Sequence, residues 1–281
     1  MKTPRDEHLP VAGPRRNVLS VVTLSFLAVF VLVILVLVAA DVAYLVYRDV
    51  SVADVWEILV SPQILSAIRL SVVTSLISLG LVIVFSVPIG YALSRYRFPG
   101  HAVVNTVVDV PIVLPPVVIG LSLLAFFGTP VGAAIKATLK TGGWSLVSGL
   151  GIVMCQFLVS VSYAIRATKA SFDSVDRRLE HVALSLGCSA WRAFRKVTLP
   201  LSRNGLIAGS VMAWARAIGV FGPLMVFVGT GPRVQVMPTS IWLELSIGNI
   251  EVSLTIALVA VLLAGTALAV VHRLAPGRNW T

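Results

Sequence analysis

The sequence predicts an all-helical integral membrane protein of about six transmembrane helices, with a patterned cytoplasmic loop between the fourth and the fifth. Three observations carry this. Of 281 residues, 57% are hydrophobic and only 12% charged, with a mean hydropathy of +0.95, outside the range of a soluble domain. Six apolar runs reach the roughly 20 residues that a helix needs to cross the hydrocarbon core. Barrel strands would instead show alternating segments of about ten residues. Finally, the basic residues are placed asymmetrically between those runs.

Residues 1–17, with Pro4, Pro10, Pro14 and mixed charge, read as a disordered cytoplasmic tail. The first helix spans 18–47. Arg15 and Arg16 ahead of an apolar stretch, with Ala40 and Ala43 near a possible cleavage point, also resemble a secretory signal peptide. Signal cores run roughly 7 to 15 residues, and this stretch approaches about 30, so a retained helix is expected. The remaining five helices occupy 64–272, at Ile64–Tyr91, Val103–Phe127, Trp144–Ile165, Gly205–Val228 and Ile250–Val271, and 273–281 form a second tail. Pro111, Pro115 and Pro116 remove backbone donors within the third helix and predict a bend or an unwound stretch there. Unpaired carbonyls are tolerated in a membrane only against protein or a water-filled cavity, so such a break commonly faces a pathway.

Sixteen of the 22 Lys and Arg residues fall in the two tails and in the second-to-third and fourth-to-fifth loops. That face is cytoplasmic by the positive-inside rule, and both termini are expected inside. The formal charge of +10 is then accounted for by topology and anionic lipid headgroups, without nucleic acid. Cys155 lies within the fourth helix and Cys188 in a loop, so neither a disulfide nor a metal spacing arises. His8, His101, His181 and His272 are scattered.

The loop 166–204 is long, charged and patterned. Val175, Leu179, Val182 and Leu186 recur at helical spacing, and Gly187 follows as a stop. Trp191, Phe194 and Val197 mark the apolar stripe of a second short helix, with Pro200 where the chain is expected to turn back toward the membrane. An amphipathic pair bearing Arg177, Arg178, Arg192, Arg195 and Lys196 is also compatible with lying on the lipid surface.

This loop resembles the signature of binding-protein-dependent ABC importer permeases: an acidic residue and two alanines, a glycine four positions on, then a hydrophobic residue and Leu-Pro. Ala183 and Gly187 match, nine residues separate Gly187 from Val197, and Leu199-Pro200 closes the pattern. His181 stands where the acidic residue is expected, with Glu180 one position earlier, and Val182 replaces the first alanine. The resemblance implies a coupling helix that enters a groove on a separate cytoplasmic ATPase through Glu180, His181, Val182, Ala183, Gly187, Val197, Leu199 and Pro200. It also implies a second permease copy, as a homodimer or heterodimer, and a periplasmic or lipid-anchored solute-binding protein. ATP and Mg would sit on the partner ATPase, with no cofactor on this chain, in which no phosphate-binding G-x-x-x-x-G-K-[ST] loop occurs. The implied location is a bacterial inner membrane.

Within that family the likeness is nearest to molybdate, tungstate and sulfate permeases. It rests on LPPVVIGL (Leu114–Leu121) and WARAIGVFGPLMVFVGT (Trp214–Thr230). Those permeases carry an acidic residue where this chain has Val220. Candidates for the translocation path or gate are Pro115, Pro116, Gly120, Arg216, Gly219, Phe221 and Gly222. Arg216 falls near the midplane of the expected fifth helix, where a lone arginine costs about 2.5 kcal/mol or more. It is therefore expected to face the interior, paired with Asp109. Iron, thiamine or polyamine permeases remain open alternatives. An ion-coupled secondary transporter has only Asp109 in its support, and no converging side chains suggest a membrane enzyme.

Overall fold

The computed structural model describes residues 18–141, 149–231 and 234–274. The first tail, residues 275–281 of the second, the start of the expected fourth helix at Trp144, and Arg233 lie outside the described residues. The chain divides after Val50 into two units. The first contains α1 (Val18–Tyr47), an uninterrupted apolar helix of 30 residues. It is long and apolar enough to cross a membrane.

The second unit runs α2 (Val52–Val60), α3 (Pro62–Arg95), α4 (His101–Val113), α5 (Pro116–Gly128), α6 (Pro130–Thr141), α7 (Gly149–Asp173), α8 (Arg177–Ser185), α9 (Ala190–Ala193), α10 (Leu199–Ile218), α11 (Gly222–Phe227), α12 (Met237–Ser246) and α13 (Ile250–Leu274). A single π-helical turn, Phe194–Thr198, joins α9 to α10. No strand occurs among the described residues. By length and composition α1, α3, α7 and α13 can each cross a membrane, and α4 with α5 makes a fifth crossing if the bent pair counts as one. The remaining expected crossing, the fifth at 205–228, is divided into α10 and α11.

Three long helices frame the unit. α3 and α7 lie side by side in the same direction. Thr74 faces Gly149 near one end, and a Cβ on Gly90 would come 2.7 Å from the Thr168 methyl near the other. α10 runs antiparallel to α7, with Gly205 against Ser171 and Gly209 against Ala167, where a Cβ on Gly209 would lie 2.6 Å from the alanine's own. The G-x-x-x-G of this helix therefore brings two backbones together within one chain. A buried apolar cluster of Ile119, Leu123, Ile152, Val159, Val220, Leu224 and Val236 ties α5, α7 and α11 into one core. Ile64, Met237 and Ile256 form a second cluster, between α3, α12 and α13.

Two boundaries differ from expectation. α7 continues eight residues beyond Ile165, and Arg166 reaches across to α4, where it forms a part-exposed ion pair with Asp109 and donates to the Asn105 carbonyl at 3.0 Å. No turn occurs at Pro200. The helix runs through it, and the preceding turn widens so that Leu199 N–H bonds to Phe194 O, five residues back. Proline has no N–H to donate and its ring crowds the carbonyl four residues earlier, which a wider turn relieves.

Candidate functional site

The segment that carries the permease signature is built from its ends inward. Asp176 caps α8 by accepting from Arg178 N–H at 2.9 Å. The other end closes in a Schellman motif: Gly187 N–H bonds to Leu184 O at 2.9 Å, and Cys188 N–H to Ala183 O at 3.0 Å. This places Gly187 at φ +84°, a left-handed conformation that a Cβ disfavours. Ser189 then caps α9.

The result is a compact helical hairpin with an apolar outer edge. Val182 is 58% exposed, Leu186 80% and Trp191 68%, and Leu179 and Leu184 are also open. His181 is exposed, Ala183, Val197 and Leu199 are half-buried, and Pro200 is exposed. Arg178, Arg192, Arg195 and Lys196 surround this edge with exposed cations.

Glu180 points the other way. Its Oε1 accepts from Arg95 Nε at 2.8 Å and from Thr198 Oγ1 at 2.6 Å, and its Oε2 accepts from the Tyr91 hydroxyl at 3.3 Å. Placed on the docking face by sequence, it is turned into the protein by an arginine 85 residues away. Tyr91 also packs edge-on against Phe172 and Phe194, whose ring centroids lie 5.5 and 4.7 Å from its own. Beside it, Val87, Pro88, Ala92, Tyr96 and Trp191 line an apolar cavity of about 480 Å³. Arg95, Tyr91 and Thr198 carry no local pattern that marks them.

The candidate path residues form separate groups. Leu114 and Pro115 break the third apolar run into α4 and α5, which meet at 107°. The bend expected from the prolines is thus present. Pro115 caps α5 and Pro116 begins it. From there α5 packs closely on α11: a Cβ on Gly120 would lie 2.7 Å from both the Cα and the carbonyl oxygen of Pro223, and one on Gly222 would lie 2.7 Å from a Val117 methyl. Phe221 instead faces Trp242 of α12, with ring centroids 6.2 Å apart, and Gly219 is exposed at the end of α10.

Arg216 does not pair with Asp109, whose carboxylate is taken by Arg166. Nor does it sit inside an uninterrupted helix. It lies in the last turn of α10, because Pro223 cannot extend a helix from behind and the chain opens over Gly219–Phe221. Its guanidinium carbon stands 5.8 Å from the Tyr163 ring centroid, a cation–π contact, and its Nε is buried without a hydrogen-bond partner among the described residues. The free carbonyls at the end of α10 also favour a cation there. Val220 is 3% exposed among apolar neighbours, a place where an unpaired carboxylate would be costly.

Residues 86–278, spanning the coupling hairpin, α5, α10 and α11, match the family described as binding-protein-dependent transport system inner membrane component. The chain belongs to that family. As such a permease it is a multi-pass transport subunit of an ABC importer, and not an enzyme. It is 34% identical to the molybdate/tungstate transport system permease protein of Thermococcus kodakarensis over 214 residues, covering 76% of this chain and 77% of that one. It is also 34% identical to the molybdenum transport system permease protein of Escherichia coli, over 61% of this chain and 77% of that protein.

Solved structures share the permease fold. A bacterial alginate ABC transporter in complex with an alginate-bound periplasmic protein aligns with a TM-score of 0.63 at 16% identity, covering 92% of this chain and 94% of that one. An inward-facing methionine ABC transporter aligns at 0.61 and 16% identity, over 74% and 93%.

Proposed function

We propose that this permease carries a tetrahedral oxyanion of the molybdate, tungstate or sulfate type, received from an external binding protein. In this reading a cytoplasmic ATPase docks on the apolar edge of α8 and α9, and a second permease copy, identical or related, completes the path. Both termini lie on the cytoplasmic side, together with the coupling hairpin. The substrate class is supported by relatives at 34% identity over most of the chain.

The observation that carries docking is the edge itself. Val182, Leu186 and Trp191 are exposed on a hairpin whose turn is held by Gly187 and which carries exposed cations beside them, outside the long apolar helices whose open side chains can face lipid. Groove binding by the apolar face of a short helix is an established mode of recognition. The path runs past the α4–α5 break and the α10–α11 break, where Arg216 provides a cation near open backbone.

Affinity purification of the tagged chain from its native membrane, followed by ATPase assay and identification of co-purifying subunits, tests the assembly. A stoichiometric ATPase is expected, and its reproducible absence would overturn the docking reading. Titration of the co-encoded binding protein with molybdate, tungstate and sulfate tests the substrate. Saturable binding of at least one is expected, and selective binding of another solute would reassign it.

A further inference from the structure

In the permease signature the acidic position of the coupling loop is the one held here by His181; the likeness places Glu180, one residue earlier, among the ATPase-docking residues, whereas its hydrogen bonds turn it away from that face. We propose that Glu180 is a positioning residue: it latches α8 to the cytoplasmic end of α3, so that force arriving at the hairpin moves α3 directly, and it makes no contact with the ATPase. The proposal rests on the docking reading of α8 and α9 given above.

The geometry separates two faces of one short helix. Residues two apart on an α-helix project about 200° apart, so Glu180 and Val182 point in nearly opposite directions. Val182 and Leu186, one turn apart, form the outer edge, and Glu180 forms the inner one. Arg95 is the last residue of α3. Besides its bond to Glu180, it donates to the Val175 carbonyl at 3.1 Å, just ahead of α8. Arg177 bonds the Ser94 carbonyl from the start of α8, and Ser94 donates to Asp173 at 2.6 Å. The Arg95 and Glu180 side chains are only 6% and 12% exposed.

A buried ion pair cannot be pulled apart without stranding two charges away from water. The Glu180 carboxylate holds donors from α3 and from the π-turn at once, so α8, the end of α3 and the base of α10 shift as one body or not at all. The hairpin thus has two outputs. One is covalent, from α9 through the π-turn into α10, and the other passes through Glu180 to α3, which lies along α7 for much of its length. Without the latch, α8 would still dock but would drive α10 alone.

The test uses the full chain assembled with its ATPase in lipid vesicles, with native cysteines replaced and spin labels at Arg97→Cys and Arg178→Cys, both exposed. In the otherwise native chain the distance between the labels is expected to be the same in nucleotide-free and vanadate-trapped states. Glu180→Gln should make that distance change between the states, while the ATPase still co-purifies. With molybdate as the probe, ATP hydrolysed per anion imported should rise about tenfold. Arg95→Gln should do the same, and the double variant no more than either single one.

Thr198→Val removes one hydroxyl donor from the same carboxylate, with an expected rise of about threefold, and it carries the test if Glu180→Gln fails to insert. An unchanged label distance and an unchanged hydrolysis-to-import ratio would overturn the latch. So would loss of the ATPase in Glu180→Gln to the extent seen in Val182→Asp, since Glu180 would then be a docking residue. Retention of the ATPase by Val182→Asp would overturn the docking reading instead, and the label distances would still judge the latch.

Discussion

The α8–α9 hairpin and the region around the two helix breaks solve opposite problems. Beneath the hairpin the buried acid is paired, Glu180 with Arg95, and Asp173 at the adjoining end of α7 pairs with Lys169 at 2.6 Å. Apolar side chains are left open instead. Around the breaks apolar groups are packed and polar ones are left short. Gly120 and Gly222 allow α5 and α11 to touch through backbone, while Arg216 Nε, in the last turn of α10, is buried without a partner among the described residues. A surface built for association keeps apolar area exposed, and it needs rigid support beneath. A region that changes shape cannot satisfy every polar group in one conformation, because any single arrangement leaves some of them to a partner present only in another. The comparison predicts a rigid hairpin and breaks that change shape during transport.

The sharpest way to break it is a charge on the outer edge. Leu186→Asp should lower ATPase recovery about 30-fold or more, as central apolar contacts of an interface do when lost, with unchanged insertion of the permease. Quantitative pull-down checks this, and undiminished recovery would place docking elsewhere. Next comes the close contact of α5 with α11. Gly120→Ala forces a methyl onto the backbone of Pro223, and overpacking of this kind costs about 1–3 kcal/mol. Thermal unfolding in detergent should show the loss, whereas Gly265→Ala, in open space on α13, should not.

A smaller effect is expected at the turn of the hairpin. A Cβ at Gly187 meets nothing within 4 Å, so the penalty of Gly187→Ala comes from its left-handed φ alone, about 1–2 kcal/mol. Uptake should fall relative to ATP hydrolysis with insertion intact, and Gly187→Asn, which tolerates that conformation, should retain more coupling. The smallest effect is expected for Arg216→Gln: uptake about threefold lower in a fully assembled complex, at the low end of what a single interaction contributes. Normal uptake would remove Arg216 from the path, and loss of assembly would make it structural.

Much of this protein could be read from short stretches of sequence. The spanning helices follow from runs of Leu, Val, Ile and Ala. The α4–α5 break follows from Pro115 and Pro116, and the end of α8 from Gly187, because each depends only on residues within a turn or two. The division of the expected fifth helix also had a local signal in Gly222-Pro223, outweighed by the apolar run around it. What could not be read were the pairings. Asp109 meets Arg166 rather than Arg216, Glu180 turns toward Arg95 rather than outward, and Gly205 and Gly209 receive α7 of the same chain. The partners in these pairs lie between 34 and 85 residues apart in the chain. Periodicity states which face of a helix is apolar or charged. Which other helix that face meets is set by how the bundle packs, and burial then makes the Glu180–Arg95 pair costly to break.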